Sequence, residues 1–311
     1  MPKVFVVGNV SLDLVLGGIP DYPEWGTEIL IPGYVMRPGG AASNASLALG
    51  ALGMPTFIVA TVGEDSLGEN LKAQFARASV RTDFLFAVPG YQTAISIGVT
   101  NERTKERSFL TDLGAQGCLA EEHLEIISPH LEDGDFLLLC GYFLSPRLRT
   151  ESLQRTLETL RGKRNLTLLF DTGWPTEGWT EKVREEIRNL LPFFDYFLPN
   201  EKELEGAGGE VVFSLPKKGT IVKEGKRGCT AHTKDGVFSV PTIDVPVTDT
   251  IGAGDYFNAG FIFGLARGYP LPLALRCANL VASLNISLSS SRDRLVTEEM
   301  LAKLLTEEAG V

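Results

Sequence analysis

Short, nearly unbroken apolar runs punctuate the chain at Val4–Val7, Phe57–Thr61, Phe136–Leu139, Leu166–Phe170, Tyr196–Leu198 and Ile221–Lys223. Runs this short, rich in Val, Ile, Leu and Phe and lacking polar alternation, predict strands buried on both faces. Between several of them apolar positions recur at helical spacing, as over Arg147–Arg161 and Thr180–Leu190, with Thr180 placed to cap the second. Alternating strands and helices predict an α/β fold, a mostly parallel central sheet sandwiched between two helical layers.

Two regions depart from this pattern. Leu12–Val35 and Gln92–Thr111 carry β-type alternation, turn glycines and prolines, and no helical period. Within the second, Thr93–Thr100 and Glu106–Thr111 read as a hairpin around Asn101–Lys105. If the two insertions pair, they make a small extra sheet that lies as a lid over the carboxyl edge of the parallel sheet. Two unrelated surface excursions are the other reading. With no repeat, low-complexity tract or linker, residues 1–311 are expected to form one domain, its discontinuous lid built from about 12–36 and 92–111.

Composition narrows the field. A chain of 311 residues with 44% hydrophobic and 22% charged residues can bury a large core. Its net charge of −10 argues against nucleic acid or an anionic membrane as partner, though a local anion hole can still operate. The charge-free stretch Pro38–Gly63 is interrupted by Gly39, Gly40, Asn44, Gly53 and Pro55, which speaks against a membrane span. Val4–Gly8 is too short for the apolar core of a signal peptide. Four scattered cysteines without paired spacing suit a reducing cytoplasm, with Cys140 read as a small buried hydrophobe. His123, His130 and His232 have no metal-ligand spacing, and the first two are read as surface residues.

Candidate chemistry centres on Asp249-Thr250-Ile251-Gly252-Ala253-Gly254-Asp255, which runs directly into an apolar stretch of helical length. Backbone N–H groups of Gly252 to Asp255 can converge on one point at the helix start, where the dipole favours anionic oxygen. Asp255 beside that hole is suited to take a proton from a hydroxyl about to attack phosphorus. Taken alone the segment also reads as a capped helix start. Gly39-Gly40 ahead of Asn44 permits close approach of a ligand to backbone, or simply tight packing of a helix on the sheet. Asp13, just past the first strand, can accept two hydroxyls, or merely be solvated. Asn200 and Glu203 form a near capping box and can equally hold water around Mg²⁺ and a polyphosphate. Lys223, Gly225 and Gly228 form a turn after a strand, open to a base or phosphate. There is no G-x-x-x-x-G-K-[ST], nor G-x-G-x-x-G after the first strand, so P-loop and dinucleotide Rossmann modes are disfavoured.

Assembled, these segments resemble the ribokinase-like (PfkB) carbohydrate kinases over nearly the whole chain. Asp249–Asp255 matches the late signature and Gly39–Ala45 the early glycine pair. Val62–Gly68 and Asn200–Glu203 fall between them in the expected order. The resemblance implies a ribokinase-like fold and an ATP- and Mg²⁺-dependent sugar kinase. It implies Asp255 as base, Gly252, Ala253 and Gly254 as anion hole, and Asp13, Gly39, Gly40 and Asn44 as sugar contacts. It also implies Asn200 and Glu203 near Mg²⁺ and phosphate, Lys223, Gly225 and Gly228 in the nucleotide loop, Asn279 near adenine, and Asp249 near a monovalent cation.

Three departures stand out. The stretch Leu204–Gly219 is short, so a helix usual there is expected to be missing. The residues after Asn285 lack the family's basic, glycine-containing turn, which counts against K⁺ activation. Ala41 and Ala42 replace a basic residue that some members carry, which weakens the case for ribose. A nucleoside acceptor is the alternative within the family, and a non-catalytic sugar-binding protein the alternative outside it. Tyr22, Trp25 and Phe109 offer aromatic lid positions, Arg103, Lys105 and Arg107 basic ones, and the lid edge offers a route to a homodimer.

Overall fold

Val4 and Val6 face one hydrophobic core while Phe5 and Val7 face another, so the first strand is buried on both sides. That alternation repeats across the central sheet and explains why its strands read as continuous apolar runs. The computed structural model describes residues 1–104, 107–247, 250–288 and 295–308. Among them the chain first forms β1 (Val4–Gly8), β2 (Ser11–Leu16), β3 (Tyr34–Gly39), α1 (Ala41–Ala51), β4 (Thr56–Gly63), α2 (Ser66–Arg77) and β5 (Val80–Val88). Then come β6 (Ile95–Thr100), β7 (Arg107–Asp112), α3 (Glu121–Ile127), β8 (Phe136–Cys140), α4 (Glu151–Lys163), β9 (Thr167–Asp171) and α5 (Glu181–Leu190). The last part holds β10 (Tyr196–Phe197), α6 (Glu201–Ala207), β11 (Gly219–Lys223), β12 (Cys229–Thr233), β13 (Gly236–Val240), α7 (Ala253–Ala266), α8 (Leu271–Leu288) and α9 (Glu298–Glu308).

The large sheet has the order β13-β12-β11-β10-β9-β8-β1-β4-β5, parallel from β11 to β5 and closed at one end by the antiparallel β12 and β13. Helices α1, α2 and α7–α9 pack on one face, and α3–α6 on the other, which makes the expected three layers. By length and apolarity α8 could span a membrane, but half of it is buried inside this fold. Each of the four cysteines is buried and unpaired.

The two irregular insertions come together as a second sheet, β3-β2-β6-β7, in which β2 pairs in parallel with β6. Asp65 anchors this sheet to the body. Its carboxylate caps α2 by accepting from Gly68 N at 2.8 Å, and accepts from Thr93 N at 2.7 Å and Thr93 Oγ1 at 2.6 Å.

Several details differ from the sequence pattern. Helix α4 starts at Glu151 because Pro146 and a 3₁₀ turn occupy the preceding residues. Strand β5 is disguised by Arg81 and Asp83, charges that suit the sheet edge it forms. The Leu204–Gly219 stretch, by contrast, is as expected: it holds the end of α6, stopped at Gly208, and one 3₁₀ turn, with no further α-helix. His123 is half-buried rather than a surface residue; its Nδ1 accepts from Ala120 N at 3.1 Å and its ring meets Phe86.

Candidate functional site

Helix α7 is apolar and buried from Tyr256 to Gly264, so its first turn is fixed rigidly beneath the carboxyl edge of the sheet. Gly252 caps it with φ 79°, a left-handed conformation that favours glycine. The N–H groups of the following turn have no carbonyl one turn back to bond. Ala253 N bonds to Thr250 O at 3.2 Å, so this expected anion-hole donor is already engaged, while Gly254 and Asp255 follow it along the cleft wall. Asp255 Oδ2 accepts from Asn44 Nδ2 of α1 at 2.8 Å. A Cβ at Gly252 would sit 3.0 Å from the same Asn44 nitrogen, so the glycine also makes room for this contact.

Asp171, at the carboxyl end of β9, sits at the centre of a second set of contacts. Its Oδ2 accepts from Lys223 Nζ at 2.7 Å and from Asn258 Nδ2 of α7 at 2.6 Å, and its Oδ1 from Gly173 N at 3.2 Å. Glu203 Oε2 accepts from Asn200 N at 2.8 Å, and Asn200 Oδ1 from Glu203 N at 3.0 Å, a complete capping box for α6. Burial, reinforced by the Asp171 charge, pushes the Asp255 carboxyl up to about 7, against the opposing pull of Asn44 and Lys223. Burial and Asp171 also raise Glu203. Burial alone would lower Lys223, but the Asp171 and Glu203 carboxylates outweigh it and hold the ammonium above its usual range. Three carboxylates thus share one ammonium, an excess of negative charge that a divalent cation would offset.

These groups line one end of a cleft of about 720 Å³. Asn200, Glu203, Lys223, Gly225, Gly228, Ala253, Gly254, Asp255 and Asn279 all reach it, whereas Gly252, expected in the anion hole, caps the helix without lining the cleft. Its far wall is the strap Thr242–Val247 with Ala282 and Ile286 of α8. Asn279 braces the lead-in to that strap, donating to Val240 O at the end of β13 at 2.9 Å and to Pro241 O at 3.3 Å. Asp13, Gly39, Gly40 and Asn44 lie beyond the cleft's inner end, joined to it through Asn44 and Asp255. Asp13 and Arg37 face each other across β2 and β3, both buried, and Ser11 Oγ donates to Asp13 Oδ1 at 3.1 Å. A Cβ at Gly39 would overlap the Asp13 carboxylate. Asp249 falls outside the described residues.

Sequence reasoning missed Asp171, Asn258 and Arg37. Asp171 did carry a signal: an acid ending the run Thr167–Phe170, at the sheet edge where open α/β sheets bind ligands. Asn258 was a polar residue, fully buried, in an otherwise apolar helix. Arg37 had no local signal beyond its place two residues before the glycine pair.

This cleft at the carboxyl edge, with a helix N-terminus and a carboxylate in its first turn, belongs to the phosphotransferases with an alcohol acceptor. The chain is a member of the pfkB family of carbohydrate kinases, whose model matches residues 1–298. It is 28% identical over 257 residues to an uncharacterized sugar kinase of Archaeoglobus fulgidus, covering 80% of this chain and 98% of that one. It is 25% identical to ribokinase of Bacillus subtilis, covering 98% of this chain and 100% of that one. The structure of Arabidopsis thaliana ribokinase complexed with ribose and ATP matches with a TM-score of 0.81 at 22% identity, covering 98% of each chain, a likeness of fold.

Proposed function

We propose that the chain transfers the γ-phosphoryl group of ATP to a hydroxyl of a small carbohydrate. One observation carries this reading: Asp255, a carboxyl raised to about 7 by burial and the Asp171 charge, sits in the first turn of a helix that lines a nucleotide-sized cleft. The apolar strap and α8 wall suit adenine, and the Gly225–Gly228 turn suits the nucleotide's sugar and phosphates. Asp13, Gly39, Gly40 and Asn44 hold the acceptor at the inner end. Asp255 takes the acceptor's proton as its oxygen closes on phosphorus, while the α7 N-terminus stabilises the charge on the transferring group. The small sheet covers the acceptor and keeps water from competing.

The residues present fit magnesium carried by the nucleotide. Among the described residues no three metal-ligating side chains form a cage, while Glu203 and Asn200 flank the phosphate end and would hold its water shell. When bound, Mg²⁺ would neutralise phosphate charge. ADP release measured with ATP against a panel of pentoses, hexoses, keto-deoxy acids and nucleosides tests the reading. A stimulated rate with one class names the acceptor, nucleosides included. Tight binding of one compound with no turnover of any would instead favour a non-catalytic sugar-binding protein.

A further inference from the structure

Resting on that reading, we propose that Lys223 is a catalytic residue, its ammonium held by Asp171 at the point where the phosphoryl group crosses from donor to acceptor. As a member of the β11–β12 turn it would be expected to touch the nucleoside. Its side chain goes elsewhere. From the end of β11 it reaches past the two-residue β10 to Asp171 on β9, two strands and roughly 10 Å of sheet away. This places the ammonium under the N-terminus of α7. A Cβ at Gly254 would lie 3.3 Å from Nζ, so glycine there leaves the space between the first turn of α7 and the cation open.

A purely structural ion pair accounts poorly for this arrangement. Asp171 already accepts from Asn258 and from Gly173 N, which satisfies a buried carboxylate without a lysine. Bringing an ammonium into a buried site carries a desolvation cost that the pairing often fails to recover. A cation kept there is instead suited to charge that appears during reaction. As the acceptor oxygen bonds to phosphorus its proton passes to Asp255. The bond from phosphorus to the bridging oxygen breaks, and its electron pair stays on ADP. Negative charge on the three equatorial oxygens is shared by the α7 N–H groups and the Lys223 ammonium, which keeps its own protons throughout. Asp171 is then a positioning residue. Its bond to Nζ fixes the direction of the ammonium, and its charge, with that of Glu203, keeps the amine protonated.

The test measures binding, with water in place of the acceptor. Dissociation constants for Mg·ADP and for Mg·ADP with fluoroaluminate, a mimic of the phosphoryl group in flight, are compared by calorimetry. The wild-type chain should prefer the mimic. Lys223→Met should lose about 100-fold of that preference, the scale of one removed oxyanion donor, while Mg·ADP affinity stays within about threefold. Asp171→Asn, which leaves the lysine but loosens it, should lose about tenfold and make the residual preference fall at lower pH than in wild type as the lysine deprotonates more easily. The double variant K223M/D171N removes both charges, so no unpaired carboxylate threatens folding; it should match Lys223→Met. Full preference in the double variant, or a parallel loss of Mg·ADP affinity, overturns the role of Lys223 and leaves the kinase reading intact. A wild-type chain with no preference for the mimic overturns both.

Discussion

Replacing Asp255 by Asn should stabilise the protein while disabling it, and the size of the gain should depend on pH. In the unfolded chain this carboxyl ionises near 3.8, in the native chain near 7, because burial and Asp171 oppose its charge. A raised native pKa makes the protonated form the one that favours folding. That contribution is complete below about pH 4 and is lost as pH rises through 7. Linkage with these two values gives a cost to wild type, relative to a neutral isostere, of about 2 kcal/mol at pH 5 and about 4 kcal/mol at pH 8. The opening of the cleft admits water beside Asp255, so these are ceilings. Asn keeps the shape and its amide oxygen can still accept from Asn44. Urea unfolding of both chains at pH 5 and pH 8, at fixed ionic strength, reads the difference from the midpoints and slopes. Acceptor-dependent ADP release should fall about 10²- to 10⁴-fold, the usual weight of a general base. A stability difference that does not change with pH, or a less stable variant at pH 8, refutes the electrostatic account of this site. Near-normal turnover refutes Asp255 as base.

Three further outcomes can be checked directly. Gly39→Ala should force Asp13 aside and raise the acceptor KM about 10- to 100-fold, the weight of one charged hydrogen bond, with Mg·ADP affinity unchanged by calorimetry. Glu203→Gln, whose amide oxygen can still accept from Asn200 N, should leave the fold intact and raise the Mg²⁺ concentration giving half-maximal rate; an unchanged metal titration removes Glu203 from that role. The small sheet exposes Tyr34, Val35 and Met36 on one edge strand, β3, and Phe109 and Leu110 on the other, β7, and we propose that the β7 edge pairs with a second copy. Light scattering should then give a dimer mass, and Leu110→Glu should give the monomer.

Much of the architecture was legible because the parallel strands are buried on both faces, which leaves a signature within each run. Val4–Gly8 and Phe136–Cys140 needed no context to be read. The edge strand β5 was not legible, since one of its sides meets solvent and Arg81 and Asp83 break the run. In the site, Asp255, Gly252, Asn44 and Glu203 sit in local motifs whose residue types are dictated by backbone hand, close approach or capping. Asp171 depends on strand order instead. Its importance comes from lying two strands from Lys223 and beneath Asn258, neighbours set by the order β11-β10-β9 and by the packing of α7. Such adjacency is a property of the folded sheet, absent from the residues that flank it in sequence.

The way the small sheet is joined to the body has a mechanical consequence. The chain passes between the sheets through Asn9 and Val10, through Gly40, through the stretch pinned by Thr93 to Asp65, and after Asp112. Ala41 N, held by Asn9 Oδ1 at 3.1 Å, ties the first two passages together. On the proposed reading of the small sheet as a lid, these passages are the fulcrum of a lever whose long arm carries the exposed Trp25. Asp13 and Gly39 stand within a few residues of the fulcrum, so a wide swing at the tip displaces them only slightly. On that reading the acceptor would be admitted and released by movement of the long arm, while Asp13 and Gly39 keep their register from one cycle to the next.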